Sequence, residues 1–454
     1  MSNWQITPYL RPHPRDERAA VTLSPEQLAQ SGWAAQADQQ QERETWFQQT
    51  LPLLDALSLS FIYEAFQAVK PSELRTDVLN SPYGRWMSEL LRGEELLQEG
   101  EDHQVVAQAD MPPAQDLWRT ILQDSPSSLP QLTQIGSVGR QLPALLRGDI
   151  SGEKLLASLR RSPVVEVLYD DDPMYLGVRL ALEAQLRELA ANLPASQRLR
   201  VLEVAVGPSD LPKTLAACLS EDQFEYVLAL PDADLQARQA TQHHALANVQ
   251  LVGFDLQEWQ LEQVDNTQFD VVILRHSLHR SVHVPPALTR SKQWLAKGGV
   301  LLVAECHPDW HADFLSGLDQ SWWHAAGDSQ SSSLLSPEGW HKALEQAGFE
   351  QVQTAQEPAA QELSEGAYLL LASAATTQAS QKQETVAPAK AGAYLALRFT
   401  LTDVMDPSLR WGDVYTTDSN FANQLGLNGT LTLITAAKSR MTEDRDNIWK
   451  ATLP

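Results

Sequence analysis

After Pro194 the chain falls into a rhythm that few folds accommodate: short apolar runs separated by helical stretches. The runs cover 199–206, 225–230, 248–255, 269–275, 299–305, 349–354 and 368–374. Strands alternating with helices predict a mostly parallel, doubly wound sheet, because each crossover helix returns the chain to start the next strand in the same direction. The last two runs, joined by a short acidic loop, suit an antiparallel hairpin at one edge. In such sheets ligands bind in the crevice outside the carboxyl ends of the strands. Candidate functional residues are therefore sought just after each run.

The region before the sheet reads differently. Residues 1–44 are polar and proline-bearing, the pattern of a linker or partly ordered lead-in. From 45 to 190 the apolar residues recur at three-to-four spacing, as in Leu51, Leu54, Leu57 and Phe61, which predicts an all-helical subdomain of five or more helices. The sheet domain is expected over 195–375. An Ala-, Thr-, Gln- and Lys-rich linker follows over 376–392. Residues 393–454, with strand-like runs at 393–400 and 430–435, read as an extension or as part of a following domain.

The most telling stretch is Arg200 to Asp210, a buried strand entering a tight turn and then a helix. Nucleotide-binding turns use small residues so that backbone can approach the ligand. Gly207 holds the central position, while Ala205 and Ser209 stand where further glycines are usual and Pro208 stiffens the turn. Glu203 lies within the strand that feeds it. After the second run a carboxylate normally accepts from the ribose hydroxyls. Here Leu230 is followed by Pro231, and the nearest carboxylates are Asp232 and Asp234. Asp255, after the third run, suits either an adenine amine or a helix cap.

His279 follows the fourth run and Glu305 ends the fifth. Adjacent strand ends would bring them together, and a carboxylate on one imidazole nitrogen orients the other as a base. That suits removal of a proton next to a carbonyl; a structural His–Glu pair is the alternative. His307 and His311 have metal-ligand spacing, but Pro308 lies between them and the segment leaves a strand, so no metal is expected.

The ordered set Ser277-Leu278-His279, Lys297-Gly298-Gly299, Glu305, Trp322-Trp323, Ser336-Pro337 and Gly348-Phe349 resembles the C-methyltransferase domains of modular polyketide synthases. The likeness runs from about 45 to 375. It extends into the helical part through Leu142 to Gly148, Leu155-Leu156 and Val167-Leu168-Tyr169. It implies a Rossmann-like class I methyltransferase core, a mostly parallel seven-stranded sheet, with an N-terminal helical lid. It further implies S-adenosylmethionine as cofactor at Glu203, Ala205, Gly207, Ser209, Leu230 and Asp255. His279 and Glu305 become the catalytic dyad, with Tyr169, His276, Trp322 and Trp323 around the substrate. The substrate implied is a β-ketoacyl thioester on the phosphopantetheine arm of an acyl carrier protein, with neighbouring synthase domains as partners. His276 stands where the family often has asparagine.

Because the turn is altered and the dyad intact, two other readings stay open. One is a pseudo-methyltransferase that serves as a structural element. The other is a repurposed enzyme running cofactor-independent α-proton chemistry, such as isomerisation, elimination or C–C bond formation. The formal net charge of -24 argues against nucleic acid and anionic membranes as partners. Two cysteines without motif spacing and the absence of a signal-like start lead to an expectation of a cytoplasmic protein.

Overall fold

The computed structural model describes residues 24–34, 37–98, 103–106, 111–160, 172–262, 268–326, 329–360 and 364–374. Two short strands near the end, Leu431–Thr432 and Lys450–Ala451, pair antiparallel. The chain divides into two compact units, Met1–Ala379 and Ser380–Pro454. The strand expected over 393–400 and the linker over 376–392 lie outside the described residues.

The central sheet has eight strands: β1 (Leu199–Ala205), β2 (Phe224–Leu230), β3 (Val249–Asp255), β4 (Gln260–Leu261), β5 (Phe269–Arg275), β6 (Leu295–Cys306), β9 (Phe349–Gln356) and β10 (Ala367–Ala374). A small separate hairpin, β7 (Trp323–Ala326) with β8 (Ser329–Ser332), lies between β6 and β9 in the chain. The order across the sheet is β4-β3-β2-β1-β5-β6-β10-β9. Pairings from β3 through β6 are parallel. β10 runs antiparallel to both β6 and β9, so the expected terminal hairpin is present and β9 forms the edge. The two-residue β4, antiparallel to β3, is the strand beyond the seven expected.

Strand order reverses between β1 and β5, which makes their carboxyl ends the switch point where ligands of such sheets sit. The inner strands read as continuous apolar runs because both faces are covered. Leu199, Val201, Tyr226, Leu228, Val271 and Ile273 pack with Val178, Leu182 and Leu186 of the long helix Pro173–Ala191 on one side. The intervening Leu202, Val204, Val227, Val272 and Leu274 pack with Leu288, Trp340 and Leu344 on the other. The two-residue period of a strand assigns each set to its layer.

The helical lid has its own core around the helix Leu51–Ala68, including Leu54, Leu57, Ile62, Met87, Leu132 and Leu146. Phe314 and Leu318, from the segment after β6, join that core, and Tyr83 OH donates to Phe314 O at 2.8 Å. The sequence groups the helix Pro173–Ala191 with the lid, yet most of its buried side chains lie on the sheet.

The polar front of the chain departs from its reading as a lead-in. Pro25–Ala34 and Ala37–Thr45 are helices. Leu28 is buried, and its carbonyl accepts from Gln185 Nε2 at 3.2 Å. Arg43 forms a buried ion pair with Glu357 at 3.2 Å. One apolar anchor and one buried cation in a polar stretch do not register as periodicity, which is why the sequence reads as a linker. Among the described residues, no helix is long and apolar enough to cross a membrane.

Candidate active site

β5 ends at Arg275, and His276 then takes a left-handed φ of 51°, a backbone region sparsely used outside glycine and common where side chains must be aimed. Its N–H donates to Ala304 O at 2.9 Å. A single 3-10 turn, Leu278–Arg280, sets His279 beside Glu305 near the end of the neighbouring strand. His279 Nδ1 lies 2.5 Å from Glu305 Oε2, and the His279 backbone N–H donates to Oε1 at 3.2 Å. Arg280 Nε lies 3.0 Å from His279 Nε2. Arginine only donates, so Nε2 is the acceptor and the ring proton sits on Nδ1, aimed at Glu305. Trp322 meets the His279 ring edge-on with centroids 5.5 Å apart, and the Arg280 guanidinium carbon lies 5.2 Å from the Trp322 centroid. Trp322 is fixed in turn by donating from Nε1 to Asp313 Oδ1 at 2.8 Å.

The turn after β1 is organised inward. Glu203, fully buried, accepts from Ser209 Oγ, Tyr226 OH and Arg275 Nε, each at 2.7 Å. Arg275 Nη2 also donates to the carbonyls of Gly207 and Pro208. Ser209 N–H donates to Gln239 Oε1 at 3.0 Å, and its carbonyl meets His243 Nε2 at 2.8 Å. Burial, reinforced by Glu203, raises the Tyr226 phenol well above its ordinary value.

A cavity of about 860 Å³ links the two places. Gly207, Pro208, Pro231, Asp234 and Leu256 line one end; His276, His279, Arg280, Cys306 and Trp322 line the other. The lid supplies Leu54 and Gln131, and the long helix supplies Tyr175 and its N-cap residue Asp172. Burial pushes the Asp172 carboxyl up to about 7, against the hydrogen bonds it accepts from Met174 N–H and Gln131 and with nearby Asp309 adding to the rise. Burial likewise takes Asp313 up to about 7. Burial, then the neighbouring cations of Arg275 and Arg280, hold His276 well below the ordinary histidine value, so its ring is a neutral wall that meets Tyr175 at 4.6 Å between centroids.

Of the six residues singled out for a cofactor, Gly207 reaches the cavity. Glu203, Ala205, Ser209 and Leu230 are buried behind it. Asp255 holds its own turn through one oxygen, Oδ1, which accepts from Gln257 N–H at 2.8 Å and Glu258 N–H at 3.1 Å. Asp232 caps the next helix through Leu235 N–H at 2.7 Å. Of the residues expected around the substrate, His276 and Trp322 line the cavity. Trp323 faces away, against Trp86 of the lid at 6.1 Å between centroids, as consecutive side chains of an extended segment must diverge. Tyr169 lies outside the described residues. His307 packs on Tyr368, and among the described residues no group of three metal-binding side chains exists. Sequence reasoning missed Arg275, Arg280, Asp172 and Tyr175. No local signal marked the first two, since a charge beside a strand end reads as a solvated loop.

Residues 178–354 match the model of a methyltransferase domain family. Over that stretch the chain is similar to methyltransferase domains. It is homologous to a segment of fungal polyketide synthases. The 3-methylorcinaldehyde synthase tropA of Talaromyces stipitatus is 26% identical over 242 residues, 51% of this chain and 9% of that protein. The non-reducing polyketide synthase ausA of Emericella nidulans is 23% identical over 319 residues, 64% of this chain and 12% of that protein. The chain thus spans roughly a tenth of these relatives' length. Among solved structures, the CurJ carbon methyltransferase superposes with a TM-score of 0.64 at 21% identity, covering 78% of this chain and 100% of its own. The C-methyltransferase domain of the citrinin polyketide synthase gives 0.64 at 16% identity, covering 78% and 98%. The trans-methyltransferase CalH, solved with SAH, gives 0.52 at 16% identity, covering 74% and 92%. At these identities the structural matches establish that the methyltransferase domain and its helical lid share a fold with polyketide carbon methyltransferases.

Proposed function

We propose that this domain removes a proton from the α-carbon of a β-ketoacyl thioester carried on the phosphopantetheine arm of an acyl carrier protein, within a polyketide synthase. The observation that carries this reading is the buried His279–Glu305 pair at the cavity wall. The α C–H bond breaks, its electron pair enters the enolate, and the proton goes to His279 Nε2. Glu305 holds Nδ1–H and stabilises the imidazolium that forms. The relatives' identity as polyketide synthases supports an acyl thioester as substrate.

The residues at the turn do not fit S-adenosylmethionine, the cofactor the resemblance implies. Glu203 already accepts from three internal donors, and Arg275 holds the carbonyls of Gly207 and Pro208. Leu230 and Pro231 carry no side-chain acceptor for ribose hydroxyls, and Asp232 gives Oδ1 to a helix cap, which leaves its second oxygen and Asp234 as the carboxylates at that end of the cavity. Pro208 also removes a backbone donor. On this reading the enolate is reprotonated or rearranged without a methyl donor. A second reading, α-methylation, is favoured by one observation: the cavity continues past His276 to Gly207, Asp234 and Leu256.

Acetoacetyl-pantetheine in deuterated water, with this protein and no cofactor, tests the first reading. Deuterium uptake at the α-carbon should exceed the buffer background; equal rates would sink it. Calorimetric titration with millimolar S-adenosylmethionine decides the second, and binding would restore methylation. Neither exchange nor binding would leave the domain as a structural element.

A further inference from the structure

His279 occupies one stretch of a cavity of about 860 Å³, a volume in the range of pockets that enclose whole drug-sized ligands and more than a β-ketobutyryl group fills. The wall on the lid side is largely apolar. The helix Gly152–Arg160 sets Leu156 and Leu159 three residues apart, on one face, and both line the cavity. Leu315, from the helix Trp310–Ser316 after β6, lines it as well. Leu156 and Leu315 are partly buried against the lid core, whose Leu51 and Leu54 also reach this wall. Polar side chains among them are bonded to protein groups. Trp46 donates from Nε1 to Ser128 Oγ at 3.2 Å, Asp172 accepts from Met174 N–H at 2.9 Å and from the Gln131 side chain, and Asp309 Oδ1 accepts from Ala312 N–H at 3.0 Å. Burial holds the Asp172 carboxyl up at about 7, which lightens its charge beside an apolar ligand.

We infer that Leu156, Leu159 and Leu315 form a hydrocarbon subsite under the lid, which selects β-ketoacyl thioesters carrying a long reduced tail over short or oxygenated ones. This rests on the acyl-thioester reading above and not on proton abstraction. With the α-carbon at His279, the carbons beyond the β-ketone extend away from the thioester and its arm. Leucine walls take those carbons out of water, and each methylene buried there adds severalfold to the affinity. An oxygen on the tail would lose its water against the leucines and gain no partner from them. The opposite end of the cavity is lined by Asp232, Asp234 and Gln257, all exposed, where a hydrocarbon tail would stay wet. The lid end is therefore the place that favours a reduced chain.

The test is calorimetric titration of the full chain with 3-oxoacyl-pantetheines of four, six, eight and ten carbons, each below its micelle concentration. Affinity should rise about two- to fourfold per methylene, and so by about 10²-fold or more across the series. The 7-hydroxy derivative of the ten-carbon compound should bind about tenfold more weakly than its parent. Leu156→Ser and Leu315→Ser should each flatten the series and leave the four-carbon compound unaffected. Leu256→Ser, at the opposite end of the cavity, should leave the whole series as in the wild type. Should a serine variant unfold, Leu156→Ala and Leu315→Ala make the same comparison with a gentler truncation. A wild-type series without a rise, or a hydroxyl that costs nothing, overturns the inference. So does a series flattened by Leu256→Ser and untouched by the changes at Leu156 and Leu315, which would place the tail at the other end. If none of the thioesters binds, the acyl-thioester reading falls together with the subsite; if all bind alike, the subsite alone falls.

Discussion

Two buried glutamates, Glu203 and Glu305, sit near the carboxyl ends of strands β1 and β6, behind the lining of one cavity, and both are fully shielded from solvent. Their partners differ. Glu203 spends its oxygens on Ser209, Tyr226 and Arg275, all of which face inward. Glu305 spends both of its own on His279, whose far nitrogen faces the cavity. The carboxylates are chemically the same, yet one closes a turn on itself and the other aims a base. What a buried acid does is decided by the outer side of whatever it holds.

His279→Asn, which removes the base but keeps an N–H donor for the buried Glu305, should break the active end outright, lowering α-deuterium exchange by about 10²–10⁴-fold with a much smaller effect on the unfolding midpoint. Comparable loss of fold and exchange together would instead make His279 structural. At the closed end, Arg275→Met should do the reverse. It strands the Glu203 charge in the interior and should cost about 3–5 kcal/mol of stability in chemical denaturation, whereas Glu203→Gln with Arg275→Met together should recover much of it. A destabilisation no larger than that of an ordinary surface substitution would mean the turn is not held by this pair. The smallest effect is expected between the two ends, at Asp172. Its folded value, raised by burial to about 7, lies above the ordinary carboxylate range, so the folded chain keeps this proton longer than the unfolded chain does. Stability from this group is complete in acid and lost as pH rises toward 7. Asp172→Asn retains an acceptor for Met174 N–H and removes the charge. It should raise the melting temperature by about 2–4 °C at pH 8 and leave it unchanged near pH 4.

The sheet was legible because strands buried on both faces announce themselves as apolar runs, and β4 escaped notice because two residues make no run. The meeting of His279 and Glu305 was legible for a topological reason, since both follow strands that are neighbours in a doubly wound order. Arg275 and Arg280 were not. A charged residue after a strand reads as a solvated loop, and nothing local reveals that Arg275 finds a carboxylate 72 positions earlier in the chain. Arg280 looks equally bland until Trp322, on a separate segment, is laid beneath it. For Asp255 the sequence left an adenine contact and a cap open, and the structure shows the local role, with Oδ1 accepting from the backbone N–H groups of Gln257 and Glu258.

The Arg43–Glu357 pair bears on how this domain can be inherited or transplanted. Its two halves come from opposite ends of the folded unit, one from the polar helix ahead of the lid and one just past β9. Neither is dispensable, because a lone Glu357 carboxylate would stay sealed beneath Gly177 with its cation gone. A recombination that joined this sheet to another protein's leading segment would carry the catalytic crevice intact and still inherit an orphan charge. The module is therefore closed by a clasp between a segment ahead of the lid and one between its last two sheet strands, and it travels whole.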